Sequence, residues 1–123
     1  MKITSHTELE VFQRSVDAAM WIFQQSRKFP RDEQRSLTDQ IRRSSRSVSA
    51  NLTEAWRKRR YKAAFISKLS DADAEAAETQ TWFLYAHLCG YITEEQQASI
   101  TAEYEIILKQ LVSMMTHPEK WCF

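Results

Sequence analysis

Mostly apolar residues recur at alternating intervals of four and three along the middle of the chain. They are Phe65, Leu69, Ala72, Ala76, Thr79, Phe83 and Ala86. This spacing places every member on one face of an α-helix and is typical of the seam between helices in a left-handed bundle. The small side chains of Ala72 and Ala76 would let a neighbouring helix approach closely. The repeat therefore predicts a long helix, from about Lys62 to Cys89, with one face in a helical core.

The chain of 123 residues contains one glycine and two prolines, far below average usage. Because these residues mark turns, their scarcity favours long helices with short links. The apolar spacing predicts three further helices, from Thr7 to Phe29, from Pro30 to a point between Trp56 and Arg60, and from Thr93 to Thr116. The sequence thus predicts an all-α fold, an antiparallel up-down-up-down four-helix bundle, as one domain covering residues 1–123.

Local signals mark several helix ends. The pairs Thr7 with Glu10 and Thr93 with Gln96 have the spacing of a capping box, in which two side chains accept hydrogen bonds from early backbone N–H groups. Gly90 occupies the position after a helix end where glycine is favoured. The fourth helix has one apolar stripe, formed by Ile100, Tyr104, Ile107, Leu111 and Met114.

The first helix carries two apolar faces. One consists of Leu9, Phe12, Val16, Ala19, Met20 and Phe23. The other consists of Val11, Ala18 and Ile22. The larger face is expected to join the core, and the second face is then free to contact a partner subunit, with partial exposure as the alternative. Val11, Ala18 and Ile22 are therefore the predicted oligomer interface.

The stretch from Leu37 to Lys62 is strongly basic. Its eight basic and two acidic residues give a local charge of +6, whereas the whole chain carries +1. The basic face of the second helix, within about one quadrant, holds Arg42, Arg46, Ser49, Thr53, Arg57 and Arg60. A charged face often serves only to interact with solvent, and arginines near a helix C-terminus also interact favourably with the helix dipole. The more specific hypothesis is that this face binds anions. The predicted nucleic-acid contacts are Arg42, Arg46, Arg57, Lys58, Arg59, Arg60 and Lys62.

Other chemistry is not indicated. His6, His87 and His117 lack the spacing of a bundle metal site, and one glycine cannot make a phosphate-binding loop. We therefore expect no catalytic residues, no metal, no cofactor and no enzymatic activity. Without a signal peptide or a membrane-length apolar run, a cytoplasmic protein is expected.

Two smaller expectations concern single residues. Cys89 and Cys122 are expected to be free thiols. Glu54 lies close to the apolar stripe of the second helix, so it is expected to be tied down inside the structure by Arg43 or by a hydroxyl of the third helix. Tyr61, Trp56 and Trp82 have side chains able to stack on nucleobases, although aromatic residues of small bundles more often pack.

The chain resembles a known family nearly end to end, most clearly in the second helix and at the start of the third. The matching residues are Phe29-Pro30 with Glu33 and Leu37, Gln40-Ile41-Arg42-Arg43, Ser47-Val48, Asn51-Leu52-Thr53-Glu54, Phe65 with Leu69, Glu78-Thr79-Gln80 before Trp82, and Gly90-Tyr91-Ile92. They resemble the bacterial four-helix-bundle proteins encoded in intervening sequences of 23S ribosomal RNA genes. The accessory variability protein of diversity-generating retroelements is a more distant relative.

The resemblance implies a four-helix bundle that assembles as a ring-shaped homopentamer. The retroelement relative binds nucleic acid and a reverse transcriptase and lacks enzymatic activity, so the resemblance makes both of them expected partners. We therefore expect a non-enzymatic oligomeric protein that binds RNA or DNA, with RNA favoured, through the basic face and the link to the third helix. The alternative is a protein-interaction module, such as an accessory subunit of a reverse transcriptase, with the basic face in subunit or partner contacts.

Overall fold

The computed structural model describes residues 2–123. Within this range the chain forms four α-helices, which are α1 (Glu10–Ser26), α2 (Leu37–Arg57), α3 (Lys62–Leu88) and α4 (Glu94–Thr116). Short 3-10 turns cover His6–Glu8, Arg31–Glu33 and Pro118–Lys120, and the described residues contain no β-strand. The predicted all-α fold is confirmed.

The helices are arranged so that each packs against two neighbours. The adjacent pairs are α1 with α2, α2 with α3, α3 with α4, and α4 with α1, whereas within residues 2–123 the backbones of the diagonal pairs stay more than 8 Å apart, measured between Cα atoms. Because the links between successive helices are short, neighbours in sequence run antiparallel. This arrangement is the predicted up-down-up-down bundle.

The core is formed along the predicted faces of the last three helices. All members of the α3 repeat are at most 1% exposed, and the α4 stripe from Ile100 to Met114 is buried. On α2 the inward residues are Leu37, Ile41, Ser44, Val48, Leu52 and Ala55. Burying these apolar side chains is the main source of stability in such a bundle. It also fixes the rotation of α2, so that its opposite face points outward.

The orientation of α1 was predicted wrongly. Val11 and Ala18 are each 4% exposed and Ile22 is 1% exposed, so these residues lie in the core and do not form an oligomer interface in this fold. The face expected in the core is only partly covered, and Met20 is 51% exposed. The inward face includes Ser15, which looks polar in sequence but donates to the Phe12 carbonyl at 2.8 Å, so its burial leaves no unpaired hydroxyl.

The start of α1 also differs from the prediction. The capping box is formed by Ser5 and Glu8 around the first 3-10 turn, not by Thr7 and Glu10, and α1 begins only at Glu10. The Glu8 carboxylate accepts hydrogen bonds from the backbone N–H of Thr4 and of Ser5 at 3.0 and 2.9 Å. The bonds from Thr4 lower the pKa of Glu8. The capped turn precedes the helix and does not open it.

The link between α1 and α2 is longer than expected. α1 ends at Ser26 instead of Phe29, and α2 begins only at Leu37, after Pro30 and the second 3-10 turn. Glu33 fixes the start of α2. Its Oε1 accepts from the Leu37 N–H at 3.3 Å, and its Oε2 accepts from the Tyr91 hydroxyl at 2.7 Å.

The α3–α4 link follows the prediction. Gly90 has a φ of 80°, a left-handed conformation that favours glycine. The Gly90 N–H donates to the His87 carbonyl and the Tyr91 N–H to the Ala86 carbonyl, at 2.9 and 2.8 Å. These two bonds close the end of α3, and the predicted capping box of Thr93 and Gln96 opens α4. Both signals are confirmed.

The prediction for Glu54 was wrong. Its side chain is 52% exposed and its Oε1 lies 3.2 Å from Nζ of Lys68 on α3. The partner is therefore a lysine at the surface, not Arg43 or a hydroxyl in the interior. Because the charges remain in water, the pair adds little stability.

Candidate nucleic-acid interface

The outward face of α2 carries the predicted basic residues. Arg46 and Arg57 are exposed, and Arg42 is half-buried at the edge of the α1 contact. By the helical rise, Arg42 and Arg57 are separated by roughly 22 Å along the axis. The helix ends at Arg57. Arg60 therefore lies beyond the helix, and the prediction that it shares the helical face was wrong.

Three arginines surround one aromatic ring at the α1–α2 contact. The guanidinium carbons of Arg27, Arg42 and Arg46 lie 5.8, 4.9 and 5.7 Å from the ring centroid of Phe23. Nε of Arg42 also donates to Oγ of Ser26 at 2.8 Å. We call Arg27, Arg42 and Arg46 the arginine cluster. The ring attracts all three cations, and this attraction partly offsets their mutual repulsion.

Arg27 was not among the predicted contacts. Its position four residues after Phe23 places both side chains on one face of a helical turn, and this spacing is the signal that would have indicated it. The other two members come from α2, and no local pattern relates them to Phe23.

The second group of basic residues lies in the segment from Arg57 to Lys62, which we call the basic link. Lys58, Arg60 and Lys62 are exposed, and the Tyr61 N–H donates to the Lys58 carbonyl at 2.9 Å to close the turn. The turn concentrates four freely exposed cations, counting Arg57, at the end of the bundle where α2 meets α3.

Arg59 is held differently from its neighbours. Its Nε donates to the Trp56 carbonyl at 2.8 Å, and its guanidinium carbon lies 3.6 Å from the centre of the Trp56 ring and 5.1 Å from that of Phe123. Burial, and after it the charge of nearby Arg57, lowers the pKa of Arg59. Arg59 therefore anchors the segment 117–123 onto α2, and its charge is less available to a ligand.

The predicted contact residues are not neutralised by the acids of the fold. In the described part of the chain, ion pairs join Arg14 to Glu10 and Glu103, and Lys68 to Glu54 and Asp71. None of the seven predicted contacts forms an ion pair within residues 2–123. On α3, burial and, after it, the nearby charges of Glu78 and Asp71 raise the pKa of Glu75.

The aromatic residues considered for stacking differ in exposure. Trp56 is buried, with 4% of its surface exposed, and contacts Trp121 edge to face at 6.4 Å. Trp82 is half-buried and donates through Nε1 to Glu78 at 3.2 Å. Tyr61 is 64% exposed in the basic link. Of these three residues, Tyr61 is the most exposed to solvent.

A second repeat runs along the outward face of α3. Its members, all uncharged and at least partly exposed, are Ala63, Ser67, Ser70, Ala74, Ala77, Thr81, Leu84 and Leu88. Leu84 and Leu88 are 45% and 69% exposed. We call this row the outer seam. The same spacing of four and three that predicted the core face of α3 would have revealed it.

Two kinds of site are absent from residues 2–123. No three His, Cys, Asp or Glu side chains are placed together so that they could hold a metal ion. No helix of this range combines the length and the apolar character needed to cross a bilayer. Cys89 and Cys122 are free thiols, and burial raises the pKa of Cys122.

Comparison with known proteins gives a family and a structural neighbour. A sequence model of the 23S rRNA-intervening sequence protein family matches residues 7–113. A crystal structure of a protein with unknown function from the S23 ribosomal protein family of Bacteroides thetaiotaomicron is 34% identical, with a TM-score of 0.75. The match covers 85% of this chain and 97% of the Bacteroides chain. No curated protein matches the chain.

Proposed function

Since the chain belongs to the 23S rRNA-intervening sequence protein family, we propose that it is a non-enzymatic protein that binds nucleic acid, RNA in particular, through the arginine cluster and the basic link. The observation that carries the proposal is the lack of ion pairs at these residues within the described range 2–123. Apart from the half-buried Arg42 and Arg59, these cations are exposed to solvent, and their positive charge is available to a polyanion.

The shape of the surface supports phosphate contacts over base readout. The cations lie on the convex outer face of α2 and at a turn, spread over roughly 22 Å of helix axis. Arginine and lysine at such positions contact the sugar–phosphate backbone, which carries no sequence information directly. The proposal therefore includes binding with little sequence preference.

The side chains of the surface are suited to binding and not to catalysis. Arginine and lysine keep their protons at neutral pH and so do not act as general acids or bases there. Arg59, whose pKa burial lowers, is occupied by the Trp56 carbonyl and two rings. Its part in the proposal is to hold the basic link in shape.

The test is a binding titration with a short labelled RNA of mixed sequence. In the charge variant, Arg46, Arg57, Lys58 and Arg60 are replaced by Gln. In the matched control, Lys2, Arg31, Arg35 and Lys109, also exposed, are replaced by Gln. We expect the charge variant to bind on the order of tenfold more weakly or worse at low salt, and the control to lose much less. Equal losses would show only a general effect of net charge.

A second candidate function, self-association, is favoured by the outer seam of α3. The seam is uncharged along its whole length, and two of its residues are exposed leucines. A neighbouring copy of the chain can pack against this row without meeting a charge from the row itself, and in a ring of copies the packing surface of that neighbour is a different one. The proposed oligomer takes its number, five, from the family resemblance. A reverse transcriptase as a further partner rests on that resemblance alone.

A further inference from the structure

Two exposed aromatic rings border the basic link. Tyr61, within the link, is 64% exposed, and Phe123 is 76% exposed. Neither ring gains the stability that burial would give it, although both lie beside the most concentrated positive charge of the chain. A surface that combines cations with open aromatic faces matches a ligand that combines phosphates with flat rings.

Phe123 is brought to the basic link by contacts with Arg59. The Phe123 N–H donates to the Arg59 carbonyl at 3.4 Å, and the Arg59 guanidinium lies over the Phe123 ring, 5.1 Å from its centre. Trp121 and Cys122 pack against the core, so the segment leading to Phe123 is fixed. With Arg59 on one face and most of the ring exposed, the other face of Phe123 is open.

Two hydrogen bonds fix the backbone of Tyr61. Its N–H donates to the Lys58 carbonyl and its carbonyl accepts from the Phe65 N–H, both at 2.9 Å. The Tyr61 side chain makes no capping bond to α3. Because two residues of chain span at most about 7 Å, Tyr61 lies close to Arg59 and therefore to the position of Phe123.

We propose that Tyr61 and Phe123 stack on the bases of single-stranded nucleic acid whose phosphates contact the basic link. The inference rests on the proposed function and narrows its ligand. In a duplex the faces of the bases are covered by their neighbours, so the two rings can contribute only when the strand is single. The protein thus prefers single strands over duplexes of the same sequence.

The test uses the full chain with Tyr61→Ala and Phe123→Ala, alone and combined, and with Tyr61→Phe and Phe123→Trp as conservative controls. Each is titrated with labelled single-stranded RNA and with the corresponding duplex at several salt concentrations. Stacking of one base predicts that each Ala variant loses about 5- to 150-fold in single-strand affinity, while duplex affinity stays unchanged. The dependence on salt should not change, because no charge is removed. The conservative controls should bind like the wild type.

Each other outcome has a definite meaning. If the wild type binds single strands and duplexes equally, and the Ala variants bind like the wild type, the stacking proposal is overturned and phosphate binding stands. If the wild type binds neither form at low salt, the proposed function fails and stacking fails with it. A third outcome is that Phe123→Ala weakens binding to single strands and to duplexes alike, while Tyr61→Ala changes neither affinity. Phe123 would then support the fold of the basic link, and the stacking proposal is again overturned.

Discussion

The hydroxyl groups of Thr79 on α3 and Ser44 on α2 form a hydrogen bond of 2.8 Å in the core of the bundle. Thr79 Oγ1 also lies 2.8 Å from the Glu75 carbonyl oxygen. Together with the buried apolar side chains of α2, this bond sets how α2 is rotated against α3. Because Ser44 points inward, Arg42 and Arg46, two residues to either side, are directed toward the surface. A polar contact inside the core thus positions the arginine cluster outside it.

We predict that Thr79→Val destabilises the fold by about 1–3 kcal/mol, because Ser44 loses a buried partner while the volume is nearly kept. Ser44→Ala should cost a similar amount. The double variant should cost less than the two single losses added together, since one bond is removed in each case. Urea denaturation of the four proteins measures this. Strictly additive losses would mean that the two hydroxyl groups are not coupled.

Glu54→Ala should change stability by less than about 1 kcal/mol, because its pair with Lys68 is at the surface. Glu54→Gln, which keeps the shape, should behave alike. The measurement is the denaturation midpoint at low and high salt, and the small effect should shrink as salt screens the charges. A large loss that salt does not reduce would place Glu54 in the interior after all.

The bond between Tyr91 and Glu33 predicts a pH dependence. The hydrogen bond to Glu33, together with burial and the carboxylate charge, raises the pKa of Tyr91 from 10.0 to about 12. Folding therefore favours protonated Tyr91. The contribution is complete below the unfolded pKa of 10.0 and is lost as the pH rises toward about 12. The midpoint difference between the wild type and Tyr91→Phe should shrink across this range, and a constant difference would contradict the assignment.

The outer seam predicts an effect on assembly. Replacing Leu84 and Leu88 by Glu should convert the proposed oligomer to monomers while the helical signal is kept, because charges would then be buried between copies. Val112→Glu on α4, a similarly exposed apolar position, is the control. Native mass spectrometry reads out both. A monomeric wild type would contradict self-association, and an oligomer of another size would contradict only the number five.

The sequence was sufficient for α3 and α4, because each has one continuous apolar row and a local end signal, such as Gly90 or Thr93. It failed for α1, where two apolar faces compete and the buried one contains Ser15. The start of α2 depends on Glu33, whose partner Tyr91 comes from a distant part of the chain. Local spacing cannot reveal such a contact.

The candidate site was predictable to a similar extent. The exposed cations at Arg46, Arg57 and Lys58 follow from the charge pattern alone. The anchoring of Arg59 by Phe123, and the gathering of Arg42 around Phe23, require contacts between segments far apart in sequence. The sequence shows where the charged residues are. Whether a cation is free to bind a ligand depends on which side chains pack against it in the fold.

The central claim is that the cations of the arginine cluster and the basic link contact phosphates. Its most direct test is the slope of log affinity against log salt for single-stranded RNA, measured for the wild type and for the charge variant. A steep negative slope is predicted for the wild type. Each replaced cation that binds a phosphate should make the slope shallower by about 0.7, and the four replacements together by up to about 3. Equal slopes for the two proteins would contradict the claim, because the replaced cations would then release no counterions on binding.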